Sequence, residues 1–191
     1  MSAGAVAPHL DAPVVRLPVR DPTLDDVAAL AAGDGARRYE LSKGTLSVLP
    51  PADSEHNALV IRLLVWLAGT VGTARLQAGT GVRLTGRATG RIPDLMVLRE
   101  PPAGATARID AAQVLLVVEV VSPGSEALDR VLEPAEYAAA GIEHYWRVER
   151  GHGAATVHRA TLGTGADGTP AYVPHPPVLV DDLLAGPPPA H

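Results

Sequence analysis

Two runs of apolar residues, each broken by one carboxylate, constrain this chain more than any other feature. Ile92-Pro93-Asp94-Leu95-Met96-Val97-Leu98 carries Asp94, and Val114-Leu115-Leu116-Val117-Val118-Glu119-Val120-Val121 carries Glu119. Both runs are short, rich in β-branched and aliphatic residues, and bounded by Gly, Pro or Ser, which predicts buried strands. An unpaired carboxylate in such surroundings costs roughly several kcal/mol, so it neutralises, pairs or coordinates a metal. Two in succession point to a shared cation.

Length and composition set the frame around them. A chain of 191 residues is expected to form one domain. With 47% hydrophobic and 19% charged residues it is globular in composition. The absence of Cys excludes disulfides and thiolate metal sites. Met1 to Pro8 has no basic leader or long apolar run, and no stretch reaches the length of about 20 apolar residues that spans a bilayer. No membrane partner is expected, and the cytoplasm is the default location. A net charge of −5 does not favour nucleic acid. Of the 16 basic residues, however, all but Lys43 are Arg, the better fork for phosphate.

The chain divides into an expected loose Pro- and Ala-rich arm over 1–20, one domain over 21–185, and a disordered Pro-rich tail over 186–191. Thr23-Leu24-Asp25-Asp26 resembles a capping box opening a short helix. Residues 38–41 and 45–49 flank Ser42-Lys43-Gly44 as a hairpin. A helix is predicted from about Glu55 to Ala68, capped by Ser54 or Asp53, with Leu59, Leu63, Trp66 and Leu67 on one stripe. One or two strands follow within 74–84, then the strands carrying Asp94 and Glu119, joined by a loop over 99–112. A helical stretch opening at Ser122-Pro123-Gly124-Ser125 ends at Gly141, and strands follow at 145–148 and 155–159. This order predicts an α/β (α+β) fold.

The strands carrying Asp94 and Glu119 lie close enough in sequence to pair side by side. With matched register both carboxylates face one side of the sheet. Such oxygen ligands suit Mg²⁺ or Mn²⁺, which accept phosphate oxygens as further ligands, and a metal so held can promote phosphodiester cleavage. The alternative is structural, each carboxylate being satisfied by an Arg or by backbone N–H groups.

Several further residues carry a family resemblance. Ile92-Pro93-Asp94, Val118-Glu119-Val120-Val121-Ser122-Pro123, Asp129-Arg130, Tyr137, Ala140-Gly141 and Tyr145-Trp146 appear in an order that resembles the Uma-type family, bacterial restriction-endonuclease-like proteins of the PD-(D/E)XK nuclease superfamily. Tyr39-Glu40-Leu41-Ser42-Lys43-Gly44, Pro50-Pro51 and Ser54-Glu55-His56 resemble its N-terminal signature. The resemblance runs from about Leu24 to Val148. It implies a restriction-endonuclease-like core of mixed β-sheet flanked by helices, a Mg²⁺ or Mn²⁺ site at Asp94 and Glu119, DNA as partner, and a homodimer. Glu40 is the candidate third metal ligand, with a solvated hairpin charge as its alternative. His56 is a candidate contact to phosphate or water, or a structural hydrogen-bonder.

The departures from that pattern are equally specific. The superfamily places a Lys two residues after the second acid, where this chain has Val121. The Uma-type pattern moves the Lys to four residues beyond the position of Asp129, where this chain has Glu133. Pro134 removes a backbone donor there and is expected to kink or restart the helix. Either cleavage is lost while the fold persists, or Glu133 as an extra ligand and Arg130 as a positive clamp take over. The expected function is Mg²⁺-dependent hydrolysis of DNA phosphodiester bonds. The competing expectation is a catalytically impaired nuclease-fold protein that acts as a nucleic-acid-binding or interaction module.

Overall fold

The computed structural model describes residues 20–33, 37–49, 51–122, 128–151 and 153–187. All of the expected arm except Arg20, the Pro123–Ser125 helix opening, and the tail beyond Pro187 lie outside them.

The long expected helix is α2 (Ser54–Val71), and its cap is Asp53, whose carboxylate accepts from His56 N at 2.8 Å. Leu59, Leu63, Leu67 and Val71 recur every four residues and are buried on one face. They pack on β6 (Leu95–Leu98), β8 (Val114–Val120) and β9 (His144–Arg150) through Leu95, Val97, Leu116, Val118, Val120 and Val148. Each fully buried Leu contributes about 1.5–3 kcal/mol by leaving water. The opposite face of the same strands packs Met96, Leu98, Val114 and Val117 against Tyr137 and Ile142, with Tyr137 on α3 (Glu133–Ala139). Coverage on both faces explains why the two sequence runs are apolar without alternation.

These strands belong to a seven-stranded mixed sheet. Its continuous order is β11 (Pro170–Pro174), β10 (Ala155–Thr164), β9, β8, β6 and β3 (Leu76–Ala78), with β12 (Val178–Leu179) beside β10. β8 and β9 are parallel, and the crossover between them carries α3. The second sheet has the order β2 (Thr45–Leu49), β1 (Arg38–Ser42), β5 (Thr89–Arg91), β4 (Gly81–Thr85) and β7 (Arg108–Asp110). It is covered by α1 (Leu24–Gly33) through Leu24, Val27, Tyr39 and Leu41. The last helix, α4 (Val180–Ala185), packs against β10 and β12. This is the mixed-sheet fold flanked by helices that the sequence leads one to expect. No helix among the described residues is long and apolar enough to cross a membrane.

Local chemistry accounts for the boundaries. At the start of α1, Asp26 accepts from both N and Oγ1 of Thr23 at 2.7 Å. The β1–β2 turn has positive φ at Lys43 (47°) and Gly44 (83°), as the tight right-twisted hairpin requires. The helix expected to end at Gly141 does restart near Pro134. Leu128–Leu132 form a π-type turn, and α3 then begins with Pro134 in its first turn, where the missing N–H has no helical partner to lose. Gly141, at φ 79°, ends the segment. The stretch 99–112 is not all loop, because Arg108–Asp110 pair in parallel with β4. Three residues are too few to show a period.

Candidate active site

Asp94 directly precedes β6, and Glu119 is the sixth residue of β8. The antiparallel register pairs Leu95 with Val118, so one further step sets Asp94 opposite Glu119. Their side chains lock the two strand ends. Asp94 N donates to Glu119 Oε2 at 3.2 Å, and Val120 N donates to Asp94 Oδ2 at 2.9 Å. Glu119 Oε1 accepts from the Tyr137 hydroxyl at 2.6 Å.

His56 reaches the pair from the first turn of α2, with Nε2 2.9 Å from Asp94 Oδ2. That helix end is held in place from β9. Arg150 Nη1 donates to both carboxylate oxygens of Asp53, and Arg150 Nε donates to Val121 O. The contact with Asp94 raises the His56 pKa above its ordinary value, against the opposing effect of burial. His56 Nδ1 is buried without a hydrogen-bond partner. Glu119 is raised well above the usual carboxylate range by burial first, then by the nearby Glu133 and Asp94.

Beside this pair lies a second cluster that sequence reasoning missed. Arg91, 1% exposed, donates from Nη1 to Glu40 Oε2 at 2.9 Å and from Nε to Glu136 Oε2 at 2.8 Å. Nη1 also stands 3.7 Å from Glu133 Oε1. Arg91 Nη2 lies 2.8 Å from Glu136 Oε2 but at an angle too poor for a hydrogen bond, so Nε carries that contact. Burial opposes the Arg91 charge, but Glu40, Glu133 and Glu136 outweigh it and hold the pKa above the ordinary value. Glu40 Oε1 accepts from Ile92 N at 2.7 Å, and Glu136 Oε1 accepts from Ser42 Oγ at 2.5 Å. Five carboxylates thus gather around the guanidinium of Arg91 and the imidazole of His56, with Arg38 Nη1 4.0 Å from Asp94 Oδ1. The only sequence signal for Arg91 was its place just before the Ile92-Pro93-Asp94 segment.

The expected site residues therefore divide. His56, Asp94 and Glu119 are in direct contact as one chain of hydrogen bonds. Glu40 is buried rather than solvated, with Oε2 accepting from Arg91 and Oε1 from Ile92 N. Glu133 is buried beside Arg91. Arg130 is exposed and holds Glu149 through two hydrogen bonds of 2.9 and 2.8 Å. Lys43 is exposed at the hairpin turn.

The donor set can be weighed against a divalent cation. Carboxylate oxygens are the right donors for Mg²⁺ or Mn²⁺. The nearby Glu133 and Asp94 add to burial in raising Glu119, a negative potential that a cation would relieve. Asp94 and Glu119 fit on those grounds, and Glu40 faces Arg91. Among the described residues, no three Asp, Glu or His groups gather where they could hold one ion.

The family described as "Uma2: Putative restriction endonuclease" matches residues 24–185. Among solved structures, the chain is similar to one titled as a putative nuclease belonging to DUF820 from Anabaena variabilis ATCC 29413. The TM-score is 0.53 at 15% identity, over 64% of this chain and 71% of that one. That likeness bears on the fold. No curated protein matches the chain.

Proposed function

The chain belongs to the Uma2 family of putative restriction endonucleases, and from that premise we propose that it is a divalent-metal-dependent endonuclease that hydrolyses DNA phosphodiester bonds. The observation that carries the reading is the cross-strand lock of Asp94 and Glu119 with His56 on Asp94. Asp94 and Glu119 are the residues that would hold Mg²⁺ or Mn²⁺. Such an ion supplies an activated water and charge stabilisation for the displaced oxygen.

The chain's own residues supply the rest. His56 Nε2 orients Asp94 and holds a proton at its Oδ2. Arg38 Nη1, 4.0 Å from Asp94 Oδ1, brings positive charge to the solvent side of the pair. Arg91, almost wholly enclosed, is the positive charge shared by Glu40, Glu133 and Glu136 behind the site. Arg130 and Glu133 are assigned no contact with the reacting atoms. A homodimer, if formed, would bring two such sites to the two strands of a duplex, and sedimentation analysis tests it.

Plasmid cleavage with Mg²⁺ or Mn²⁺ tests the activity. Cutting that is abolished by chelator, by Asp94→Ala and by Glu119→Ala supports the enzyme. A second reading is favoured by the lack of any lysine at the centre and by the closure of three carboxylates on Arg91. In that reading the protein binds nucleic acid without cutting. Intact folding with no cleavage under either metal would establish it in place of the first.

A further inference from the structure

A cavity of about 460 Å³ lies between α1 and the smaller sheet, next to the carboxylate centre. Its volume falls within the range of roughly 300–1,000 Å³ typical of small-molecule sites. One wall is the apolar side of α1, formed by Leu24, Val27, Ala28 and Ala31. Arg37, Arg38, Arg91 and Arg108 also line it, and among the described residues no acidic side chain does.

Two of these arginines are built in. Arg38 Nη2 donates to Ile92 O at 2.7 Å, and Arg108 Nη1 donates to Leu24 O at 3.1 Å. Main-chain carbonyls fix both guanidinium groups without neutralising them. Among the described residues Arg108 forms no close ion pair, and the charge of Asp25 reaches it only at longer range. The nearest to Arg38 is Asp94 Oδ1 at 4.0 Å. Arg38 Nε is buried and has no acceptor, and a buried donor left unmade is costly unless a ligand completes it. In a chain of net charge −5, a pocket whose described lining holds fixed arginines and no carboxylate selects an anion. The apolar wall selects something larger than bare phosphate, because phosphate alone gains nothing from Leu24 and Val27.

We propose that this cavity receives one unstacked nucleotide of the DNA strand, with its phosphate on Arg38 and Arg108 and its base against the apolar side of α1. Planar guanidinium forks match phosphate oxygens, and a base is well suited to an apolar wall beside them. Arg38 lies between the cavity and Asp94, so a nucleotide seated here sets an adjoining phosphodiester bond beside the carboxylate pair. The identity of the strand rests on the endonuclease reading. The anion chemistry of the cavity does not.

Calorimetric titration of the full chain with thymidine 3′,5′-bisphosphate, in chelator so that cleavage plays no part, tests the proposal. Saturable binding is expected, with inorganic phosphate and thymidine each about tenfold weaker or worse. Arg108→Gln, and separately Ala28→Trp to fill the cavity, should each weaken the bisphosphate about tenfold or more. Arg108→Lys should recover part of the loss, and a duplex oligonucleotide should displace the bisphosphate. The proposal is overturned if the wild type does not bind. It is also overturned if both variants melt like wild type and bind equally well, or if no DNA competes, which would assign the cavity to a free nucleotide. Failure of the endonuclease reading is distinguishable, since cleavage would then be absent while binding still responded to Arg108→Gln and Ala28→Trp.

Discussion

Arg91 Nη1 stands 2.9 Å from Glu40 Oε2, with the two side chains only 1% and 3% exposed. A guanidinium so enclosed is committed to its neighbours. It joins β5 to β1 through Glu40 and to α3 through Glu136, fixing the frame on which Asp94 is mounted three residues later.

Removing that cation strands three buried carboxylates. Arg91→Met is expected to destabilise the protein by about 3–5 kcal/mol, read from urea denaturation at neutral pH. Arg91→Lys should recover only part, because one ammonium cannot serve Glu40 and Glu136 in the same geometry. A loss below about 1 kcal/mol for Arg91→Met would contradict the assignment of Arg91 as their essential counter-charge.

The Tyr137 hydroxyl donates to Glu119 Oε1 from a fully buried ring. Tyr137→Phe keeps the packing with Tyr145, whose ring centroid is 5.8 Å away, but leaves the carboxylate short of a donor. The expected cost is about 1–3 kcal/mol, measured by thermal or urea unfolding. An unchanged midpoint would show that the hydroxyl is dispensable to Glu119.

Glu149 supplies a pH signature away from the candidate site. Hydrogen bonding from Arg130, then the charges of Arg130 and Arg147, hold it below the usual carboxylate range. A depressed folded pKa contributes stability above the ordinary Glu value of about 4.3. That contribution fades as pH falls through the folded value. Glu149→Gln should therefore cost about 0.5–1 kcal/mol at pH 7 and nothing once the wild-type carboxyl is protonated. Melting curves of both proteins across acid pH should converge; parallel curves would refute the pairing.

Gly90 is required by close approach rather than by backbone angle. A Cβ there would meet Leu24 Cδ2 at 2.6 Å and Val82 O at 3.0 Å. Leu24 can shift, but the Val82 carbonyl belongs to the neighbouring strand β4. Gly90→Ala is expected to lower stability by about 1–3 kcal/mol, and a melting temperature equal to wild type would count against it.

Asp94 and Glu119 were legible in the sequence because an acid inside an aliphatic run is conspicuous at short range. The hairpin at Lys43, the Asp53 cap and the restart at Pro134 were legible for the same reason, since each is settled within about one turn of chain. Arg91 was not. It directly follows Gly86-Arg87-Ala88-Thr89-Gly90, which reads as a turn rich in Gly and Arg, and its burial depends on Glu40 and Glu136, far away in sequence. Glu136 was hidden similarly, as one acid among Ala and Glu on a helix. β11 escaped notice because Pro170 and Pro174 bound a half-exposed edge strand with no apolar alternation.

The contacts of Arg91 with Glu40 and Glu136 span 51 and 45 residues. On a chain emerging from the ribosome, β1 and β5 are therefore present well before α3, and for that interval Arg91 has only one of its two hydrogen-bonded acids. Its last neighbours arrive with the crossover between β8 and β9, whose parallel pairing is itself a long-range closure. The acidic centre is thus completed late in synthesis, and a nascent chain halted before residue 133 contains Asp94, Glu119 and Arg91 without Glu136, the second acid of Arg91, and without Tyr137, the hydroxyl donor to Glu119.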